Sequence, residues 1–373
     1  SIFFLDFIFE FYCSYDTMPV VGIAYLPHGA MILDPDRQDV PKGAESLHST
    51  CMQISEQIAS LNPDLLLLST PHGLNLHQAL NIYQPGVFGC KAAGNAEWNN
   101  KWQEYSVEVD LDAENSLDLY FHLRKEKRVK PDQLPSIEGM LAFGGLSISL
   151  RWGEVIPLYF ALHHLAVKEK QQPIKPYLHH VSTKHGPKVV IIAQPKLGLT
   201  TDDQKFYRQQ QKTLLLQLGQ SIRSWCDSST RRIVVIISGD QSHTHPWSSD
   251  SQLLPIIYQP DPSAHSISPM EGNEYAQSFD QTINDWITGN NSSELYSLDA
   301  SLLVEQAGEK EHLARSCGYT GSLMMQGLMR NDTIQSIRSN FKSSSAKWLL
   351  TDFCSCHPTY YGMMAAFYLR NNS

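Results

Sequence analysis

Short apolar runs without polar interruption recur along the chain and predict buried β-strands. A run of this kind, bounded by turn residues, is typical of a strand that is buried on both faces of a sheet. The predicted strands lie at residues 20–26, 64–70, 155–162, 188–193, 232–238 and 346–352. The first two are separated by a length of chain that suits one right-handed strand–helix–strand crossover.

Other segments place apolar residues three or four positions apart, which predicts amphipathic helices. In 45–61 these positions are Leu47, Cys51, Ile54 and Ile58. Further helices are predicted at 203–226, 274–288, 302–315, 319–329 and 360–369. Because strands alternate with helices, we expect one α/β domain whose central sheet is mostly parallel or mixed, with helices covering both faces.

Two segments stand apart from this pattern. Residues 1–17 are apolar and aromatic but carry Asp6 and Glu10, and we treat them as an N-terminal extension of unassigned role ahead of a domain spanning 18–373. Residues 91–140 are more polar and less periodic than their surroundings. We predict that they form an insertion with a short hairpin near 104–109 and a helix near 117–123.

Composition narrows the class of protein. The chain has 373 residues, of which 42% are hydrophobic and 18% charged, as is ordinary for a globular protein. Its formal net charge of -9 argues against nucleic acid or an anionic membrane as the main partner, since both require a basic surface. Seven scattered cysteines do not resemble a disulfide framework, so we expect a reducing, cytoplasmic location.

Three histidines follow predicted strands, and turn residues flank each of them. His28 lies in Pro27-His28-Gly29, His72 lies in a second Pro-His-Gly tripeptide, and His243 follows Gly239-Asp240. Neighbouring strands would bring such positions together at one edge of the sheet, where ligands bind in open α/β folds. Neutral imidazole is the commonest protein ligand for transition metals. The pattern therefore predicts a mononuclear metal site with a spare histidine for proton transfer.

Nearby polar residues are candidates for supporting roles. His243 and His245 are two positions apart, so one could bind metal while the other acts as a base or stabilises the turn. Asp240 could accept a hydrogen bond that sets a ligand tautomer, and His357 could line a pocket. Glycine-rich phosphate loops and a G-x-S-x-G motif are absent from the sequence, which argues against a nucleotide-binding enzyme or an α/β-hydrolase.

The ordered motifs resemble the catalytic (B) subunit of the class III extradiol ring-cleaving dioxygenases, the family of the protocatechuate 4,5-dioxygenase beta chain. The resemblance covers roughly residues 19–370. Besides the two Pro-His-Gly tripeptides and Ser-Gly-Asp-x-Ser-His at 238–243, the matching segments are 152–159, 317–318 and 361–365. It implies that residues 18–373 are a catalytic domain of this family.

The resemblance also implies a chemistry. In that family two histidines and a carboxylate hold Fe(II), and here the histidines would be His28 and His72. His243 would be the catalytic acid–base, which takes a proton from a substrate hydroxyl and returns one as the ring opens. The expected reaction is extradiol cleavage of a small catechol-like aromatic compound with O2. The expected assembly is a homodimer or a complex with a small second subunit.

One departure from the family pattern affects the third metal ligand. The family usually has glutamate directly before Cys-Gly, and this chain has Ser316 there. The conceivable substitutes are Cys317, His312 (one helical turn before Ser316) and Glu311 or Glu309. We favour Cys317, because the Memo proteins, which share this fold, are similar in placing two histidines and a cysteine before glycine at their metal.

A cysteine ligand would open a second hypothesis. A thiolate shifts metal preference towards softer ions, so Zn or Cu would become alternatives to Fe(II). The chain would then be a Memo-like metal-binding or redox protein of the same fold rather than a dioxygenase. A further departure is Arg151-Trp152, where the family often has aspartate followed by an aromatic residue or histidine. Because this position helps to shape the substrate end of the site, the sequence leaves the identity of the substrate open.

Overall fold

Uninterrupted apolar segments form the strands of one large sheet. The computed structural model describes residues 19–38, 40–74, 80–85, 90–97, 101–125, 137–141, 147–170, 178–194, 204–246, 272–289, 298–338 and 347–371. The predicted extension at 1–17 lies outside the described residues. Among them, no helix combines the length and apolar character needed to cross a membrane.

The described part of the chain contributes twelve strands to this sheet. They are β1 (Val20–Leu26), β2 (Leu65–Thr70), β3 (Leu80–Gln84), β4 (Cys90–Asn95), β5 (Ser106–Leu111), β6 (Ile137–Leu141), β7 (Ile148–Leu150), β8 (His180–Ser182), β9 (Lys188–Ala193), β10 (Ile233–Ser238), β11 (Lys347–Cys356) and β12 (Met363–Asn371). Their order is β11-β12-β1-β10-β2-β9-β5-β4-β7, while β3 pairs with β6 and β9, and β8 pairs with β5.

The centre of the sheet is parallel and its margins are mixed. Strands β1, β10, β2 and β9 run parallel in that order, and β12 runs antiparallel on the outer side of β1. All six residues of β2 and all six of β10 are buried, as parallel strands covered on both faces require. In the register, Leu26 pairs with Ser238 and Ile237 pairs with Ser69, so β1, β10 and β2 end at one edge.

Helices cover both faces of the sheet. They are α1 (Glu45–Leu61), α2 (Ala113–Lys125), α3 (Trp152–Lys170), α4 (Gln204–Asp227), α5 (Tyr275–Thr288), α6 (Gly308–Ala314) and α7 (Tyr319–Arg338). Buried side chains of α1 and α3 share one apolar cluster with one face, and those of α2, α4, α5 and α7 share another cluster with the opposite face. The predicted α/β architecture is therefore confirmed.

Two predicted elements are of the wrong type. Residues 155–162, predicted as a strand, belong to α3, and residues 360–369, predicted as a helix, contain most of β12. Both segments are apolar on all sides, so neither carries the periodicity that separates a buried helix from a buried strand. The place of each segment in the fold determines its secondary structure. Helix α3 crosses one face of the sheet, whereas β12 pairs with β1 and β11 inside the sheet.

Two other predictions are correct in type but altered in detail. The helix predicted at 302–315 consists of a π-helical segment, Leu302–Ala307, followed by α6, and it ends where Arg315 adopts a left-handed φ of 54°. The hairpin predicted near 104–109 is longer than expected: β4 and β5 form it, so residues 106–109 lie within one strand, and β5 joins the sheet by pairing with β9. That 91–140 is an insertion stays a prediction, and part of it lies outside the described residues.

Helices α4 and α7 approach each other through two glycines. A Cβ atom on Gly219 would lie 2.0 Å from the carbonyl oxygen of Met324, and one on Gly327 would lie 2.0 Å from that of Leu216. Both neighbours are backbone atoms of a packed helix, so they cannot move aside independently. The close helix crossing therefore depends on glycine at both positions.

We expect Gly327→Ala to lower the free energy of unfolding by about 1–3 kcal/mol, the usual cost of overpacking a core. Chemical denaturation followed by circular dichroism measures this change. The control is Gln220→Ala, beside Gly219 on α4 and only partly buried, which should leave stability nearly unchanged. Equal stability of Gly327→Ala and wild type would contradict the close crossing.

Candidate metal centre

The three strand-end histidines meet at one edge of the sheet. His28 follows β1, His72 follows β2 and His243 follows β10, the strand between them. The ring centroids of His28 and His72 are 4.7 Å apart. Ligand atoms of His28, His72 and Cys317 all lie within 4.8 Å of one another, and so do those of Asp240, His243 and Cys317. The two groups share Cys317, so five potential ligands surround one region.

Cys317 reaches this region from the segment after α6. The chain turns at Arg315, and the amide of Gly318 then donates to the Asp240 carbonyl oxygen at 2.9 Å. This places Cys317 Sγ 3.3 Å from His28 Nε2 and 3.5 Å from His243 Nε2. Burial raises the pKa of the Cys317 thiol well above its usual range, and a bound cation would favour the thiolate instead.

Asp240 contributes a carboxylate to the same region. Asp240 is only 2% exposed; its Oδ1 accepts a hydrogen bond from the His28 amide at 3.0 Å, and its Oδ2 lies 3.4 Å from His28 Nε2. Burial raises the pKa of this carboxyl to about 7. The sequence pattern indicates only a supporting role for Asp240. Its place directly after a strand end, like that of the histidines, was the signal that it could reach the site.

Ser316 and the other proposed substitutes lie outside both ligand groups. Ser316 Oγ donates to the Asp240 carbonyl oxygen at 3.1 Å, which ties the two loops together. His312 is exposed on α6, and Glu309 and Glu311 are also absent from both groups. The expectation that His312 shares a helical face with Ser316 is wrong, because α6 ends at Ala314 and the chain then changes direction.

His243 is a neutral imidazole at the border of the site. Burial lowers its pKa to about 3, helped by His72, His28 and Arg315. Its ring meets the ring of Tyr361 edge-on, with centroids 4.8 Å apart. Burial also lowers the pKa of His28 to about 3, so both rings are unprotonated near neutral pH, the form that accepts a proton or binds a metal.

His245 and His357 form a separate pair beside the centre. His245 Nε2 lies 2.6 Å from Asp280 Oδ2 on α5, and the other oxygen of Asp280 accepts the Ser242 amide at 2.8 Å. The ring of the exposed His357 stacks on the ring of His245, with the two centroids 4.1 Å apart. Neither histidine belongs to a ligand group, so they line the surroundings of the site.

The donor set determines which ions fit. Imidazole nitrogens, a thiol and one carboxylate suit a first-row transition metal, whereas Mg²⁺ and Ca²⁺ prefer oxygen ligands throughout. The His, Cys and Asp groups of this chain could therefore hold a transition-metal ion. Trp152, the first residue of α3, stands beside the centre with its ring 5.4 Å from that of His72.

Comparisons with known proteins do not assign this site. No model of a known protein family matches the chain, and no curated protein matches it.

We expect the wild-type protein to bind one Fe(II) or Zn(II) ion per chain. Cys317→Ser should weaken this binding by at least about 100-fold, because losing a direct ligand costs more than losing a supporting hydrogen bond, about 10–100-fold. Calorimetric titration of Zn(II) under reducing conditions measures the affinity. Cys90→Ser, a half-buried free cysteine on β4, is the control and should bind like wild type. Unchanged affinity in Cys317→Ser would exclude the thiol as a ligand.

Proposed function

We propose that this protein is a non-haem Fe(II)-dependent extradiol dioxygenase that opens a catechol-like aromatic ring with O2. The observation that carries the proposal is the meeting of three strand-end imidazoles, His28, His72 and His243, with a buried carboxylate at one sheet edge. The ordered motifs that resemble the class III extradiol family support the same assignment.

The donors fit ferrous iron in the following way. His28 and His72 would hold the ion together with Cys317. The nearest carboxylate is Asp240, whose Oδ2 lies 3.4 Å from His28 Nε2 but which forms its own ligand group with His243 and Cys317. Two imidazoles and one carboxylate are the ligand type of non-haem Fe(II) oxygenases. When bound, the iron supplies the redox chemistry by which dioxygen reacts with the aromatic ring.

His243 is the residue proposed to move protons. Its neutral imidazole can take a proton from a substrate hydroxyl and return one to the product as the ring opens. Tyr361 packs against the ring and holds its orientation, and the Tyr361 hydroxyl accepts a hydrogen bond from Tyr360 at 2.5 Å. The backbone amide of His243 donates to the Ala314 carbonyl oxygen at 2.8 Å, which fixes the loop that carries it.

The surroundings favour a planar, uncharged ring near the centre. His28 is 1% exposed, so water is largely excluded from the inner side of the site. The Trp152 ring beside His72 and the Tyr361 ring beside His243 supply aromatic surface on two sides. Arg151 stands where the resembled family often has aspartate, so a panel of catechols is needed to identify the substrate.

The test is oxygen consumption after anaerobic loading with Fe(II). We expect uptake of O2 with at least one member of a panel of catechols, together with the absorbance of a ring-opened product. His243→Gln should retain iron but lower the rate by about 100-fold or more, the typical contribution of a general acid–base. His357→Gln, an exposed neighbour, is the matched control. Stoichiometric iron without oxygen uptake for any catechol would reject the proposal.

A second candidate function follows from Cys317. Its sulfur belongs to the same ligand group as His28 and His72, in the place where the resemblance leads us to expect a carboxylate. Such a set suits Zn or Cu(I) and would serve a Memo-like metal-binding or redox protein.

Ser316→Glu separates the two candidates. This change restores the carboxylate at the position that the resembled family uses. If ring cleavage occurs only in Ser316→Glu, the natural chain is not a conventional dioxygenase and the second candidate stands. If wild type and variant both consume oxygen, the first stands. Light scattering of each protein reports whether it is a monomer or a homodimer, the two assemblies that stay open in the absence of a small second subunit.

A further inference from the structure

The start of α3 contains a backbone carbonyl that its own helix does not use. Pro157 lies four residues after Gly153, and proline has no N–H to donate to the carbonyl four residues earlier. The Gly153 carbonyl oxygen instead accepts two side-chain hydroxyls: Thr70 Oγ1 donates at 2.9 Å and Ser238 Oγ donates at 2.8 Å. These hydroxyls belong to the last residues of β2 and β10.

Each of these hydroxyls also contacts one candidate ligand. Ser238 Oγ lies 2.9 Å from His28 Nδ1, and Thr70 Oγ1 accepts the backbone amide of His72 at 3.3 Å. Ser238 has a single hydroxyl hydrogen, which it donates to Gly153. It can therefore only accept from His28, so His28 carries its proton on Nδ1. The lone pair is then on Nε2, the nitrogen that lies 3.3 Å from Cys317 Sγ.

Glycine at 153 is what lets these groups approach. A Cβ atom at this position would lie 2.6 Å from His72 Cβ and 3.2 Å from Thr70 Oγ1. Any larger residue would displace His72 or break the hydrogen bond from Thr70. Gly153 thus contributes both its free carbonyl and its missing side chain.

The first turn of α3 is itself held firmly. Glu154 Oε2 accepts the Arg151 amide at 2.6 Å, a contact of the capping-box type that fixes where the helix begins. The other oxygen of Glu154 accepts the Tyr83 hydroxyl, and that hydroxyl accepts the Leu74 amide at 2.6 Å. The loop after His72 is therefore bound to the same helix turn.

We propose that Gly153, Thr70 and Ser238, with Pro157 freeing the carbonyl, form a positioning clamp that sets the tautomer of His28 and the placement of His72. The clamp rests on the metal-binding part of the proposed function. None of its members needs to touch the metal or a substrate. Hydrogen bonds of this kind to ligating histidines typically contribute about 10–100-fold to metal affinity.

The first test reads the tautomer in the metal-free protein. In wild type, ¹⁵N chemical shifts and long-range ¹H–¹⁵N couplings should show His28 protonated on Nδ1. Ser238→Ala should give a mixture of tautomers, whereas Ser238→Thr, which keeps the hydroxyl, should restore the wild-type signature. Ser55→Ala removes a buried hydroxyl that accepts the His164 amide at 3.1 Å, away from the site, and should leave His28 unchanged.

The second test measures Zn(II) affinity, which requires no turnover. We expect Ser238→Ala to bind about 10–100-fold more weakly than wild type, and Ser238→Thr and Ser55→Ala to bind like wild type. Pro157→Ala restores an N–H that competes for the Gly153 carbonyl, so it should also weaken binding while leaving both hydroxyls in place.

Wild-type His28 protonated on Nε2 would overturn the clamp, and this measurement does not require any variant to fold. Ser238→Ala that keeps both the wild-type tautomer and the wild-type Zn(II) affinity would overturn it as well. Failure of the proposed function is a distinct result: a wild-type chain that binds no metal, in which the tautomer of His28 still decides for or against the clamp.

Discussion

The parallel pairing of β10 with β1 on one side and β2 on the other is the constraint on which the rest of the structure depends. These three strands come from distant parts of the chain, and only their hydrogen bonds bring the segments after them to one edge. The register matters as much as the order. A shift by one residue would exchange the two faces of a strand. The apolar clusters above and below the sheet oppose such a shift, and they therefore also fix the positions of the histidines at the edge of the sheet.

Burial disfavours the charged forms of the groups gathered at that edge. Burial keeps His28 and His243 neutral, keeps the Cys317 thiol protonated and raises the pKa of the Asp240 carboxyl to about 7. All four shifts have the same main cause, the loss of water around a charge. A bound transition metal would reverse that cause for the thiol and the carboxylate, because its positive charge stabilises both anions. These His, Cys and Asp groups could thus hold a metal ion, whose charge would offset the cost of ionising the thiol and the carboxyl.

Sequence reasoning predicted the parts of the fold that carry a local signal. The four central strands are continuous apolar runs with turn residues at their ends, and α1 and α4 have clear helical spacing. Residues 155–162 and 360–369 carry no such signal, because their side chains are buried all round and either structure would satisfy them. The meeting of His28, His72 and His243 at one edge could be predicted from the sequence because each follows a strand. Asp240 also follows a strand, so its presence at the edge could be predicted, whereas the direction of its carboxylate is set by hydrogen bonds from amides of the neighbouring loop and could not.

The loop that carries Ser316 and Cys317 is bonded directly to the loop that carries Asp240. Ser316 Oγ and the Gly318 amide both donate to the Asp240 carbonyl oxygen, which fixes the distance between the Cys317 thiol and the Asp240 carboxylate. Cys317 Sγ lies 3.5 Å from His243 Nε2 and 3.3 Å from His28 Nε2. Whether the carboxylate or the thiolate takes the third position decides how soft the site is, and hence whether it suits ferrous iron and oxygen or a thiophilic ion.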